Sequence, residues 1–216
     1  MMRIPLARKS WPYIISGILI TVTAWIIHWI PGLLLSVPTI LLINFFKDPN
    51  RKPPDLASEY VLSPADGKVI SIEQGRHKDF PDHVRISIFM NIFDVHVNRV
   101  PVDGVLRSLY HYPGLFLPAD NPRAPGENER MEFTLSTSAG PILVSLVAGL
   151  VARRVFSWAR PDDTLLRGQR FAMIKLGSRV DVHLPPGTLI QAQPGLRVKA
   201  GLTPIARLQN NSDDTI

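Results

Sequence analysis

From Trp11 to Phe46 the chain carries no Lys, Arg, Asp or Glu. A run of that length and composition calls for an apolar solvent, and this constrains the N-terminal part of the chain more than any other feature. Pro31-Gly32 divides it into Trp11–Ile30, long enough to cross a bilayer, and Leu33–Phe46, short for an independent crossing. Arg3, Arg8 and Lys9 precede the run, and Lys47, Arg51 and Lys52 follow it. The positive-inside tendency then places both ends on the cytoplasmic side. A helical hairpin or re-entrant pair turning at Pro31-Gly32 meets this condition better than one straight span. A cleaved signal peptide fits less well, because the run is too long and no small-residue cleavage site follows. Residues 1–47 are read as a retained membrane anchor, and spanning and dipping both stay open.

A chain of 216 residues holds one compact domain and a short accessory segment. Cysteine is absent, which excludes disulfides, zinc–thiolate sites, iron–sulfur clusters and a cysteine nucleophile. A formal charge of +6 and a pI near 9.9 favour acidic partners. Nucleic acid is set aside, since there is no finger spacing, no aromatic-interleaved basic stripe and no long basic helix. No metal site is expected.

Asp48–Leu56, rich in proline and charge, reads as part of a linker over residues 48–58. From about Glu59 the pattern is that of strands. Lys68–Glu73 and Val84–Met90 alternate apolar and polar residues, and Val95–Val100, Val105–Tyr112, Met131–Leu135, Ile142–Val151, Phe171–Leu176 and Arg179–Leu184 read alike. Leu117–Arg130 is a long loop, and the tail from Gln209 is polar. The expected fold is mostly β (α+β). A β-sheet or barrel-sandwich-like domain over residues 59–208 follows an N-terminal hydrophobic helical hairpin.

Three segments bear on chemistry: Ser63-Pro64-Ala65-Asp66-Gly67; Phe89-Met90-Asn91-Ile92-Phe93-Asp94-Val95-His96-Val97-Asn98-Arg99-Val100-Pro101; and Gly168-Gln169-Arg170-Phe171, followed by Met173-Ile174-Lys175-Leu176-Gly177-Ser178-Arg179-Val180-Asp181-Val182. Phe45-Phe46-Lys47-Asp48-Pro49, Gly126-Glu127-Asn128-Glu129-Arg130 and Gly149-Leu150-Val151-Ala152-Arg153-Arg154 accompany them. Any one is weak. Together, in order from about Phe45 to Pro204, they resemble the phosphatidylserine decarboxylases of the short bacterial and archaeal type.

That resemblance implies a proenzyme cut between Gly177 and Ser178 into residues 1–177 and 178–216. Ser178 would become a pyruvoyl group, a covalent cofactor whose carbonyl takes up electrons as carbon dioxide leaves. His96 would be the base that activates Ser178, and Asp66 would orient His96. The substrate would be phosphatidylserine, drawn from membrane lipids at the cell membrane with the catalytic domain on the cytoplasmic side. A homodimer is also implied. Arg153, Arg154, Arg170 and Arg179 are candidate contacts for phosphate or carboxylate, which guanidinium groups hold in bidentate fashion. Asn128 and Glu129 would order the long loop over the pocket.

Without the resemblance, Gly177-Ser178 reads as a bend, Asp66-Gly67 as a turn and His96 as an ordinary strand histidine. The sequence also departs from the longer relatives. Their second histidine of a His-x-x-His pair is Arg99 here, so one histidine serves both steps or His83 or His111 contributes. Ala172 stands where glycine is usual. Two other functions stay open: decarboxylation of archaetidylserine, which has the same head group, and a non-catalytic membrane-tethered β domain that binds lipid. Gly187–Gly201 has the look of a lipoyl-type carrier segment but lacks an exposed attachment lysine.

Overall fold

The computed structural model describes residues 11–75, 77–150, 155–174 and 178–209. Two compact units divide the chain, residues 1–50 and 51–216.

The first unit is a helical hairpin of α1 (Trp11–Ile27) and α2 (Trp29–Phe45). The expected turn at Pro31-Gly32 lies elsewhere. The chain breaks at His28, whose backbone is extended and whose Nδ1 accepts the Ile30 N–H at 3.2 Å. Pro31 falls in the first turn of α2, where a missing N–H leaves nothing unsatisfied. Gly32 is needed for close approach, because a Cβ there would come within 2.5 Å of the Trp25 ring. Polar cross-links tie the helices together: the Thr21 and Thr39 hydroxyls are 2.7 Å apart, and Trp25 Nε1 donates to Ser36 Oγ at 3.1 Å. Much of the outer surface is apolar, including exposed Leu19, Ile26, Ile27 and Leu34. Each helix has 17 residues, about 26 Å of rise. No helix among the described residues is long and apolar enough to cross a membrane, which shortens the expected crossing at Trp11–Ile30.

The second unit is built of strands. In chain order they are β1 (Tyr60–Leu62), β2 (Gly67–Gln74), β3 (Val84–Met90), β4 (Val97–Arg99), β5 (Gly104–Tyr112), β6 (Arg130–Thr137), β7 (Gly140–Val147), β8 (Val155–Ser157), β9 (Thr164–Leu165), β10 (Arg170–Ile174), β11 (Ser178–Leu184), β12 (Leu189–Ile190), β13 (Arg197–Val198) and β14 (Pro204–Arg207). A short helix, α3 (Ala124–Glu127), interrupts the long loop. One antiparallel sheet of eight strands runs in the order β13-β2-β3-β11-β7-β6-β5-β9. Two small sheets, β1-β14-β12 and β4-β10-β8, complete the unit.

One face of the large sheet carries the core, with Ile86 and Ile88 from β3, Val180 and Val182 from β11, Val144 and Leu146 from β7, and Phe133 from β6. The other face carries a buried polar group in its middle: Arg85 and Ser87 on β3, Arg179, Asp181 and His183 on β11, and Ser145 on β7. Every residue of β11 is buried, against the half-exposed strand that alternation predicts. Two of its polar members form a pair that β3 extends: Arg179 Nε donates to Asp181 Oδ1 at 2.6 Å, and Arg179 Nη2 donates to Ser87 Oγ of β3 at 2.6 Å. His183 lies farther along the same face, 5.2 Å ring to ring from His77. Its pKa is pushed down from 6.5 to about 3, first by burial and then by His77 and Arg85 nearby.

A histidine held neutral in the folded chain takes up its proton on unfolding. Its contribution is therefore complete above about pH 6.5 and declines as pH falls toward 3. Between pH 7 and pH 5 the loss amounts to about 2 kcal/mol. Urea unfolding at the two pH values is expected to show that difference for the native chain and to lose most of it in His183→Asn. Equal pH dependence in both chains would remove His183 as its source.

Candidate active site

β2 begins, β3 ends and β11 begins at one end of the large sheet. The register places Lys68 opposite Phe89 and Ser178 opposite Met90. Gly67 opens β2 at φ 153°, where a Cβ would lie 2.1 Å from the Phe89 carbonyl oxygen, so only glycine lets the strand start there. Asp66, just before it, is nearly buried, and both of its carboxylate oxygens are held by Arg51. The Nη2–Oδ2 bond measures 2.8 Å, and the Ala200 N–H donates to Oδ1 at 2.8 Å.

His96 is fully buried between a tight turn at Asn91–Asp94 and β4. Its Nδ1 lies 2.9 Å from the Asp94 carbonyl oxygen. A carbonyl only accepts, so Nδ1 carries the proton and the lone pair of the neutral ring sits on Nε2. β4 pairs with β10, and the Ile174 N–H donates to the His96 carbonyl at 3.2 Å. His96 is thereby fixed beside the last described residue before the Gly177-Ser178 junction.

Ser178 is fully buried at the head of β11. Its hydroxyl donates to Met90 Sδ at 3.5 Å, a weak bond that leaves the oxygen lightly held. Asn98 Nδ2 approaches the same sulfur at 3.9 Å and the Pro64 carbonyl at 3.4 Å. A cofactor made from Ser178 itself fits this place, because a buried position with a lightly held hydroxyl suits attack on the preceding carbonyl. Among the described residues no three histidine or carboxylate side chains are grouped to hold a metal ion.

The other expected residues fall as follows. Gly177, Arg153 and Arg154 lie outside the described residues. Arg170 starts β10 opposite Arg99, four residues from Ile174 and the His96 end. Arg179 is turned into the sheet's polar face and engaged by Asp181 and Ser87. Arg99 donates to the Gly168 carbonyl at 2.9 Å. His83, at the far end of β3 from Met90, bonds the Pro141 carbonyl, and His111 pairs with Glu129 at 3.2 Å. Buried Asn128 bonds both backbone groups of Leu117 and the Ala148 carbonyl, which ties the long loop to the exit of β7.

Sequence reading missed three contributors. Arg51 sits in the proline-rich stretch read as linker, and nothing nearby marks it as the partner of Asp66. Met90 and Asn98 stand within one motif with nothing to mark their roles, since Met90 meets Ser178 through the β3–β11 register and Asn98 reaches the same sulfur from β4.

The phosphatidylserine decarboxylase family model matches residues 39–206. The phosphatidylserine decarboxylase proenzyme of Ralstonia nicotianae is 42% identical over 209 residues, covering 94% of this chain and 95% of that one. The proenzymes of the same name from Nitrosomonas eutropha and Burkholderia mallei are 39% identical over 207 residues and 40% over 210, with the same coverage.

Proposed function

Because the chain belongs to the phosphatidylserine decarboxylase family, we propose that it is a proenzyme that cuts itself between Gly177 and Ser178 and then decarboxylates phosphatidylserine. The observation that carries this reading is the buried, lightly held hydroxyl of Ser178 at the head of β11, with His96 fixed beside the chain that leads to it.

His96 Nε2 takes the Ser178 hydroxyl proton, and Oγ attacks the Gly177 carbonyl carbon. The peptide C–N bond breaks, leaving an ester from Gly177 to Ser178 Oγ and a free amine on residue 178. Loss of the Ser178 α proton then expels the Gly177 carboxylate from Cβ. Water hydrolyses the resulting dehydroalanine, ammonia departs, and residue 178 is left as a pyruvoyl group. That group's carbonyl supplies the electron sink for loss of carbon dioxide. The Asp94 carbonyl fixes the His96 tautomer, an orienting role that the sequence reading gave to Asp66. Asp66 is a positioning residue: through Arg51 and Ala200 it holds the turn whose Pro64 carbonyl receives the Arg99 N–H. Arg153 and Arg154 are the proposed phosphate contacts. The apolar hairpin, with basic residues on both flanks, supports a cell-membrane location with the second unit on the cytoplasmic side.

The test is intact mass together with carbon dioxide release from phosphatidylserine in detergent micelles. Pieces spanning residues 1–177 and 178–216, the latter lacking an amino terminus, and steady release of carbon dioxide are expected. An uncut, well-folded chain that binds the lipid without turnover would replace this reading by the non-catalytic one. His96→Ala is expected to slow cutting by about 10²- to 10⁴-fold, measured by gel time course. An unchanged rate would take the base's role from His96.

A further inference from the structure

The turn between β3 and His96 is built inside out. Its polar groups are used internally: Asn91 Oδ1 accepts the Phe93 N–H at 2.8 Å, and Asp94 Oδ2 accepts the Asn91 N–H at 2.9 Å. The Asp94 N–H donates to the Asn91 carbonyl at 3.1 Å, and Asp94 Oδ1 is held by Arg197 at 3.1 Å. The two apolar residues face outward, Ile92 at 45% and Phe93 at 60% exposure. Surface turns ordinarily do the reverse.

Neighbouring strands bring related residues to the same end of the sheet. Leu150, just past the end of β7, is 63% exposed. Lys68 on β2 and Arg197 on β13 are paired across the ladder and exposed, and Lys199 follows two residues on. The result is a protruding apolar tip beside a strip of three cations. A stable protein interface needs roughly 800 Å² from each partner, far more than such a tip offers. A convex tip of isoleucine and phenylalanine suits the boundary between head groups and acyl chains, and the cations suit head-group phosphates.

We propose that this end of the second unit is a membrane-contacting edge of its own, in which Ile92 and Phe93 enter the surface of an anionic bilayer while Lys68, Arg197 and Lys199 meet its phosphates. The edge acts in addition to the helical hairpin. It rests on the proposed function only in that it would bring a lipid head group to the His96 end of the sheet.

Because the chain has no cysteine, single labelling sites can be introduced cleanly. Phe93→Cys and Ser138→Cys, the latter exposed in the β6–β7 hairpin at the opposite end of the sheet, would carry an environment-sensitive fluorophore. The full chain would be reconstituted in vesicles of phosphatidylglycerol and phosphatidylcholine whose acyl chains bear nitroxides. The label at 93 is expected to shift to the blue and to be quenched several-fold more than the label at 138. Equal, weak quenching at both sites overturns the proposal. In a second arm, the doubly substituted Ile92→Ser/Phe93→Ser chain is expected to lose about tenfold in rate on vesicle-borne phosphatidylserine and nothing on a water-soluble short-chain form. Equal loss on both would assign the turn to the site and not to the bilayer. Failure of the native chain to cut or to release carbon dioxide would strike the proposed function and leave the quenching result standing.

Discussion

The Ser178→Ala chain is expected to remain a single species by intact mass and to release no carbon dioxide above background. Its fold should survive, and this makes the result informative. The described bond of the Ser178 hydroxyl goes to a thioether at 3.5 Å, and removing so weak a partner costs about 1 kcal/mol or less. The backbone of residue 178 keeps its place opposite Met90. Urea unfolding close to that of freshly made precursor, combined with complete loss of cutting, would locate the defect in chemistry and not in folding. A Ser178→Ala chain that still separates into two pieces at 177/178 would end the self-cleavage mechanism.

Arg179→Met is expected to be severely destabilising, by about 3–5 kcal/mol, because it leaves Asp181 charged and 1% exposed with its cation gone. Against a total of about 5–15 kcal/mol for an ordinary domain, such a loss is large. Replacing both partners, as Arg179→Met/Asp181→Leu, is expected to recover most of it, since apolar groups of similar size need no counter-charge. The comparison belongs in the Ser178→Ala background, where cutting does not complicate urea unfolding. A double variant as unstable as the single one would mean that the pair is not the source. If Arg179 instead contacts substrate, the single change would raise KM and leave unfolding untouched.

Each of the eight alternating stretches in the sequence contains a strand, because a half-buried antiparallel strand repeats every two residues and little else does. β7 stops at Val147 and β4 holds only Val97–Arg99, while residues 151, 175 and 176 of those stretches lie outside the described residues. Strands of two or three residues, such as β9, β12 and β13, carry no repeat to read and are defined only by their partners. Alternation also misled at β11, where Arg179 and Asp181 mark a solvent face by composition yet cancel each other in a buried one. In the hairpin, proline and glycine pointed to a bend three residues beyond His28, since proline in a first helical turn looks the same in sequence as proline in a loop. The motifs named Ser178, His96 and Asp66. They could not show the carbonyl of Asp94 facing His96, because a backbone group leaves no mark in the sequence, nor Arg51 reaching Asp66.

The position of β11 has a consequence for molecularity. It lies between β3 and β7, while β13 pairs with β2 and β14 with β1, so a piece beginning at residue 178 is threaded through the other piece along four separate ladders. Before cutting, unfolding is a one-molecule reaction that reverses on its own. After cutting, every refolding event is an encounter between two chains, and the unfolding midpoint depends on protein concentration. Maturation on this reading acts as a one-way clasp: the pieces stay together as long as neither lets go, and a dilute molecule that once opens has no ready way back.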